Sequence, residues 1–190
     1  MGRSLYSDYI SSKNNEEAIA SAQELAIPEF KPRLVRLGLE KAFDALEAGD
    51  RDAIMELIVD LCKSQVYTGE DIQEAVDGYA AQLEDLALDV PAAPRVLGGV
   101  LGMCVAAELM DLNAVKDRVE GVESAEPRRA FVASALHAVK EAKGSDQLRA
   151  AVKASGVDVL ALFENDPEFE PHLPSAQKFA EEEGLLTALE

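Results

Sequence analysis

Apolar residues recur along this chain at intervals of three and four residues, which is the spacing of one face of an α-helix. The clearest case is a stretch in which Ile54, Leu57, Ile58, Leu61 and Cys62 fall at i, i+3, i+4, i+7 and i+8. No segment alternates apolar and polar residues between hairpin turns, as a half-buried strand would. The pattern therefore predicts an all-α protein.

Polar capping residues, glycines and prolines divide this pattern into separate helices. The residues before position 14 are polar and are predicted to be a mobile N-terminal segment. The second predicted helix includes Leu46 in its apolar stripe, and Asp50 is predicted to cap the third. The predicted helices span about residues 15–27, 31–48, 50–62, 68–89, 92–109, 128–143, 145–154, 157–163 and 174–183.

Short connections between these helices make sequence neighbours antiparallel, so the helices should form stacked hairpins. Stacked helix pairs that bury their stripes against one another give a HEAT-like α-solenoid. The helix over 92–109 is apolar almost all round and should be buried at the centre. Its glycines, Gly98, Gly99 and Gly102, would allow a close approach of another backbone.

The chain is strongly acidic, with 36 Asp and Glu against 18 Lys and Arg among 190 residues and a formal net charge of -18. This charge repels nucleic-acid phosphates and anionic lipids, so we expect no direct nucleic-acid partner and no membrane partner. It suits a partner with a basic surface. The N-terminus lacks an apolar signal core, and the longest uncharged run, residues 96–107, is too short to span a bilayer. A soluble cytoplasmic or nuclear protein is expected, and a cytoplasmic location is the one predicted.

Residues that would indicate an enzyme are scarce. The two histidines, His137 and His172, are far apart in the sequence, and no His, Cys, Asp or Glu residues show zinc-site spacing. The LGGVLG stretch lies within an apolar helix and not after a strand, so it does not match a phosphate-binding loop. Cys62 and Cys104 are read as buried thiols. We expect no catalytic residues, no metal and no cofactor.

The stretch DLALDVPAAP, residues 85–94, predicts a sharp corner between two helices. Two roles are open for Asp89, namely capping the helix that follows the proline and contacting a partner, and one role does not exclude the other. Asp85 would lie at the negative end of the helix over 68–89, an unfavourable place for a carboxylate, which suggests a use outside the fold. Leu86 and Leu88 cannot both be buried, so one of them could form an apolar anchor.

Two segments carry a resemblance to a known family. NEEAIASAQELAIPEFKPRLVRLGLEKAFD resembles the opening of MA-3 domains, and VYTGEDIQEAVDGYAAQLEDLALDVPAAPRVLGGVLGMCV resembles their second half, in which an acidic helix precedes D-(V/I)-P and an apolar helix. The resemblance covers about residues 15–110. The tail is similar to the helical extension that follows the C-terminal MA-3 region of translation initiation factor 4 gamma. It predicts an MA-3 domain over 14–120 and an extension over 126–190 that packs on it.

The resemblance implies a HEAT-like fold that binds a DEAD-box RNA helicase of the initiation factor 4A type. In the family, acidic residues before D-(V/I)-P contact the helicase, and Asp85 and Asp89 match them; with Glu84, Leu88 and Pro91 they form the predicted partner-binding set. The expected protein is a monomeric scaffold of cap-dependent translation initiation. Two alternatives are an inhibitor that sequesters the same helicase, like the programmed cell death 4 protein, and a peptide-binding solenoid with no helicase partner.

Overall fold

The structure, a computed structural model, describes residues 2–25 and 27–189. Within these ranges the regular secondary structure is helical and no strand occurs, so the predicted all-α fold is confirmed. None of the described helices is both long enough and apolar enough to cross a bilayer. The helices belong to two compact units, one ending at Tyr79 and the other beginning at Ala80.

The first unit contains five helices and a single 3₁₀ turn at Pro28–Phe30, within the described ranges. The helices are α1 (Gly2–Ser12), α2 (Asn15–Leu25), α3 (Lys31–Phe43), α4 (Ala48–Lys63) and α5 (Gly69–Ala80), whose last residue opens the second unit. The second unit contains α6 (Leu83–Asp89), α7 (Ala93–Ala106), α8 (Asn113–Val119), α9 (Ala125–Lys143), α10 (Ser145–Ser155), α11 (Val159–Leu162), α12 (Ala176–Glu182) and α13 (Leu186–Leu189).

In the first unit, α3 and α5 run parallel. Arg36 of α3 donates to the carbonyl oxygen of Glu74 in α5 at 3.3 Å. Further towards the C-terminal end of both helices, the rings of Phe43 and Tyr79 meet edge-on with their centroids 5.3 Å apart. The residue numbers of the contacting pairs rise together, which shows that the helices are parallel. The four-residue link between α3 and α4 makes those two helices an antiparallel hairpin. A hairpin followed by a helix parallel to its first member is the arrangement of HEAT-like repeats.

The second unit repeats this arrangement with α7, α8 and α9. A Cβ built on Gly98 would lie 1.9 Å from the carbonyl oxygen of Phe131, and one on Gly102 would lie 2.2 Å from that of Ala135. Because the residue numbers rise together, α7 and α9 are parallel and their backbones touch. Almost every residue of α7 is buried, as its sequence predicts. The predicted HEAT-like class of helix hairpins is therefore confirmed within each unit.

The N-terminal residues differ from the prediction of a mobile segment, because α1 occupies residues 2–12. Leu5, Tyr6 and Tyr9 are buried and form its apolar face. The Tyr6 hydroxyl donates to the carbonyl oxygen of Leu34 at 3.0 Å, which holds α1 on α3. The two tyrosines supply most of this apolar face. Because tyrosine carries a hydroxyl, the sequence pattern indicates a polar segment and does not reveal the buried face.

The link between α3 and α4 begins earlier than predicted. The helix α3 ends at Phe43, so Leu46 lies outside it and is 97% exposed. The helix α4 begins at Ala48, which places Asp50 in its first turn and not at its cap. The guanidinium of Arg51 donates to the carbonyl oxygen of Ala45 at 2.9 Å, which joins the first turn of α4 to the link that precedes it.

The predicted helix over 68–89 is two helices, because the chain turns at residues 81–82 between α5 and α6. Gln82 has φ -130° and ψ 30°, outside the helical range. This turn reverses the argument made for Asp85, which lies in the first turn of α6, where the helix dipole favours a carboxylate. Its position therefore carries no electrostatic cost. The spacing of apolar residues continues through the turn and does not reveal it.

The remaining differences lie in the second unit. The helix α8 is absent from the sequence prediction, although Ala114, Val115 and Val119 are buried along it. The last predicted helix, 174–183, is α12, which begins at Ala176. Its cap is Ser175, whose hydroxyl oxygen accepts the backbone N–H of Lys178.

Candidate functional site

The residues predicted to bind a partner lie on α6 and on the turn that joins it to α7. We call Glu84, Asp85, Leu88, Asp89 and Pro91 the acidic corner. The backbone of this corner is fixed by hydrogen bonds from Val90 N–H to the carbonyl of Leu86 at 2.7 Å and from Ala93 N–H to the carbonyl of Val90 at 2.9 Å. Pro94 lies in the first turn of α7, where a missing N–H costs nothing.

The side chains of the acidic corner point largely to solvent. Leu88 is 82% exposed, which is unusual for a leucine on a short helix packed against its neighbours. Asp85 and Asp89 are also exposed, while Leu86 is partly buried. Of the two leucines considered as an apolar anchor, Leu88 is the one available to a partner.

Asp89 does not cap α7. The N-cap residue of that helix is Ala92, and no side-chain hydrogen bond caps it. The carboxylate lies at the C-terminal end of α6, the negative end of that helix dipole. The structure therefore gives Asp89 no role as a cap of the following helix.

Glu84, by contrast, is engaged with the fold. Its Oε1 accepts the backbone N–H of Ser124 at 2.7 Å, just before α9 begins. Glu170 accepts the next backbone N–H, that of Ala125, at 3.0 and 3.2 Å from its two carboxylate oxygens. Ser124 itself makes no side-chain cap. Two carboxylates from distant parts of the chain thus cap α9, and one of them holds α6 in place.

Two neighbouring arginines of α9 hold the loop that follows α11. Arg128 donates to the carbonyl oxygens of Leu162 at 3.0 Å, of Val122 and of Glu164. Arg129 is only 2% exposed and donates to the carbonyl oxygens of Phe163 at 2.6 Å and Pro174 at 2.9 Å.

Arg129 also links this loop to α12. Its guanidinium lies 5.1 Å from the ring centroid of Phe179, which provides a cation–π contact. Burial lowers the pKa of the guanidinium, and the nearby Glu170 carboxylate opposes that shift. An arginine remains charged under such a shift, so the loop and α12 are held by a buried cation.

A groove of about 1250 Å³ runs between α6 on one side and α12 on the other, with α9 as its floor. We call it the α9 groove. Four of the five residues of the acidic corner line it, and Asp89 does not. Ala130, Ala133 and Ser134 form part of the floor.

The far side of the groove is held by contacts that the sequence did not reveal. Nε2 of His137 lies 2.9 Å from Oε2 of Glu183, and Lys140 donates to the carbonyl oxygen of Gly184 at 2.8 Å. His137 is thus a partly exposed histidine paired with a carboxylate. Sequence spacing could not have found these pairs, nor the capping by Glu170, because about 45 residues separate the partners.

The thiols of Cys62 and Cys104 are buried, as predicted. Burial raises the pKa of the Cys62 thiol, with a smaller contribution from Asp71. Among the described residues, no group of three or more His, Cys, Asp or Glu side chains is arranged to hold a metal ion.

The sequence is similar to several proteins of known type. It is 20% identical over 157 residues to a von Willebrand factor A domain-containing protein of Dictyostelium discoideum, covering 82% of this chain and 8% of that protein. It is 28% identical over 115 residues to eukaryotic translation initiation factor 4G of Cucumis melo, covering 59% and 6%. It is 25% identical over 137 residues to programmed cell death protein 4 of Mus musculus, covering 72% and 29%. The chain therefore spans less than a third of each of these relatives.

The family model for the MA3 domain matches the sequence over residues 4–111. This range is more than half of the chain and includes α6, α7 and the whole acidic corner. This chain therefore belongs to the MA3 domain family.

Proposed function

We propose that this MA3 domain is a protein-interaction scaffold of a translation initiation factor 4 gamma-like protein. Its partner is a DEAD-box RNA helicase of the initiation factor 4A type, whose activity it modulates in cap-dependent translation initiation in the cytoplasm. The family match and the similarity to translation initiation factor 4G support the link to translation. The helicase supplies the ATP and RNA sites, and the domain itself is not an enzyme.

The observation that carries the proposal is the exposed Leu88 between two exposed carboxylates, Asp85 and Asp89. Burying such a leucine against a partner gains about 1.5–3 kcal/mol. Carboxylates beside it attract basic side chains and set the orientation of the complex. This combination of an apolar centre and a charged rim is typical of a protein-binding surface.

The rigidity of the corner supports the same proposal. Glu84 holds the start of α6 against α9, and the backbone hydrogen bonds around Val90 hold its end. A surface that is already ordered loses less entropy on binding than a mobile loop does. Glu84 and Pro91 thus serve the partner-binding set by positioning it as well as by their own contacts.

The second candidate is an inhibitor that sequesters the same helicase. It is retained because the chain is 25% identical to programmed cell death protein 4 over 72% of its own length. The two candidates differ in a helicase ATPase assay, where a scaffold leaves the activity unchanged or raises it and an inhibitor suppresses it.

The direct test is a calorimetric titration of the domain with purified helicase of the factor 4A type. Replacing Asp85 with lysine brings like charges together at the docked surface and should weaken binding by more than about tenfold. The matched control is Asp146→Lys, because Asp146 also lies in the first turn of a helix, is 99% exposed and does not line the groove. Both variants lose a similar small dipole contribution, about 0.3–1 kcal/mol.

Wild-type binding should also weaken with added salt, because exposed charges are screened over about 8–10 Å. If Asp85→Lys folds normally and binds the helicase as tightly as Asp146→Lys, the acidic corner is not the contact surface. If the wild-type domain shows no binding at all, the helicase is not the partner.

A further inference from the structure

We propose that the α9 groove is a second docking site, which takes a basic amphipathic helix of a partner protein laid along α9. This proposal goes beyond the helicase contact, because it adds the floor and the α12 side of the groove to the wall formed by the acidic corner, and it requires no helicase. The occupant is identified from the size, the floor and the charge of the groove.

The size of the groove favours a polypeptide. Its volume of about 1250 Å³ exceeds the roughly 300–1,000 Å³ of sites that enclose small molecules. The groove is also open along α9 between two helical walls, which is the form that accepts a helix from a partner.

The floor of the groove favours close helix packing. Ala130, Ala133 and Ser134 are three and four residues apart on α9 and so share one face. Their small side chains permit a partner helix to approach near the short end of the usual interaxial range of about 8–10 Å. Leu88 and Phe179 line opposite sides and offer apolar contact to the buried face of that helix.

The charge of the groove favours a basic occupant. Six carboxylates line it on both sides and along its floor: Glu84, Asp85, Glu126, Glu141, Glu182 and Glu183. The lining arginines are Arg95 and Arg129, and the guanidinium of Arg129 is buried against the loop carbonyls. Lysines and arginines on the flanks of the partner helix would meet these carboxylates, which gives specificity for a basic segment.

The groove is preformed by contacts within the second unit. Arg129 holds the loop and Phe179, and the pairs of His137 with Glu183 and of Lys140 with the carbonyl of Gly184 hold the end of α12 on α9. A prebuilt groove lowers the entropic cost of binding.

The test is fluorescence anisotropy with a labelled amphipathic helical peptide of leucine and lysine. A peptide in which glutamate replaces every lysine serves as the charge control. Glu182→Lys should weaken binding of the lysine peptide by more than about fivefold, because it places a like charge on the groove wall. Its matched control is Glu181→Lys, the exposed neighbour on α12 that does not line the groove, which should bind as wild type does.

The floor is tested separately with Ala130→Phe, which fills the groove and should also abolish tight binding. Its control is Ala138→Phe, since Ala138 is likewise partly buried on α9 but lies outside the groove lining. Circular dichroism checks that each variant is folded, and the Glu182 pair remains decisive if a phenylalanine variant is not.

Equal binding by Glu182→Lys and Glu181→Lys would overturn the proposal, as would tighter binding of the glutamate peptide. A uniform weakening in every charge-reversed variant would show only attraction to the net charge of the chain, and so would also overturn it. Failure of the helicase titration leaves these outcomes unchanged, because the probe peptide contains no helicase sequence.

Discussion

Gly98 and Phe131 meet backbone to backbone, so closely that a Cβ built on Gly98 would lie 1.9 Å from the carbonyl oxygen of Phe131. A backbone carbonyl in the middle of α9 cannot rotate away as a side chain could. Any side chain at position 98 therefore forces α7 and α9 apart. The tight contact exists because both helices bury an apolar face against each other in the second unit.

We predict that Gly98→Ala lowers the free energy of unfolding by about 1–3 kcal/mol or more, the range of overpacked cores. The matched control is Gly49→Ala, because Gly49 lies in α4 with no atom near its built Cβ. Because Gly49 is the second residue of α4 and alanine favours a helix over glycine, that substitution should leave the stability unchanged or raise it by up to about 1 kcal/mol. Chemical denaturation followed by circular dichroism measures both, and equal stabilities for the two variants would contradict the prediction.

The second prediction concerns Tyr6 and Tyr67, whose hydroxyl oxygens lie 3.2 Å apart in the first unit. Tyr6 has a single proton and donates it to the carbonyl of Leu34, so Tyr67 must donate to Tyr6. Burial raises the pKa of Tyr67 to about 12 and that of Tyr6 well above its usual value. The pair thus favours the neutral form of both phenols in the folded state.

A tyrosine whose pKa is higher in the folded state than in the unfolded state stabilises the fold. Its full contribution is present at pH values below the unfolded pKa, near 10, and is lost as the pH rises through the folded pKa. We therefore expect the free energy of unfolding to fall from about pH 10 upwards, by roughly 2–3 kcal/mol for Tyr67 at complete loss. Tyr67→Phe should be less stable at neutral pH but should lose less stability above pH 10. If wild type and variant lose the same stability over that range, Tyr67 does not contribute to the alkaline transition. The absorbance of tyrosinate should rise together with unfolding.

The third prediction concerns Glu170, which accepts the first backbone N–H of α9. Glu170→Ala leaves that donor without its carboxylate and should cost about 0.5–2 kcal/mol, as loss of a helix cap does. Glu168→Ala is the control, because Glu168 lies in the same loop and is exposed. The control should stay within about 0.5 kcal/mol of wild type. Thermal melts of the two variants measure the difference, and a control as unstable as Glu170→Ala would argue against a capping role.

The sequence predicted those parts of the fold that depend on local pattern. The helix α7 was placed within a few residues because its apolar run is long, and the close backbone approach followed from Gly98 and Gly102. The turn at residues 81–82 was missed because apolar spacing continues across it, and that miss also led to the wrong electrostatic argument for Asp85.

The candidate site was only partly predictable for a related reason. The exposure of one of Leu86 and Leu88 could be anticipated, since two leucines two residues apart cannot share one helix face, but the spacing did not show that it would be Leu88. The capping of α9 by Glu84 and Glu170 could not, because an exposed glutamate and a capping glutamate look the same in sequence. Their roles appear only when the fold brings them to the same helix end.

The capping of α9 has a consequence for how the chain is made. Glu170 follows Ala125 by 45 residues, and a ribosome adds roughly 5–20 residues each second. The start of α9 therefore waits about 2–9 s for one of its two caps, while Glu84 is already present to hold it. During that interval Glu84 is the one of these two carboxylates that has already been synthesised, so we expect the acidic corner to support this end of α9 while the chain is being made.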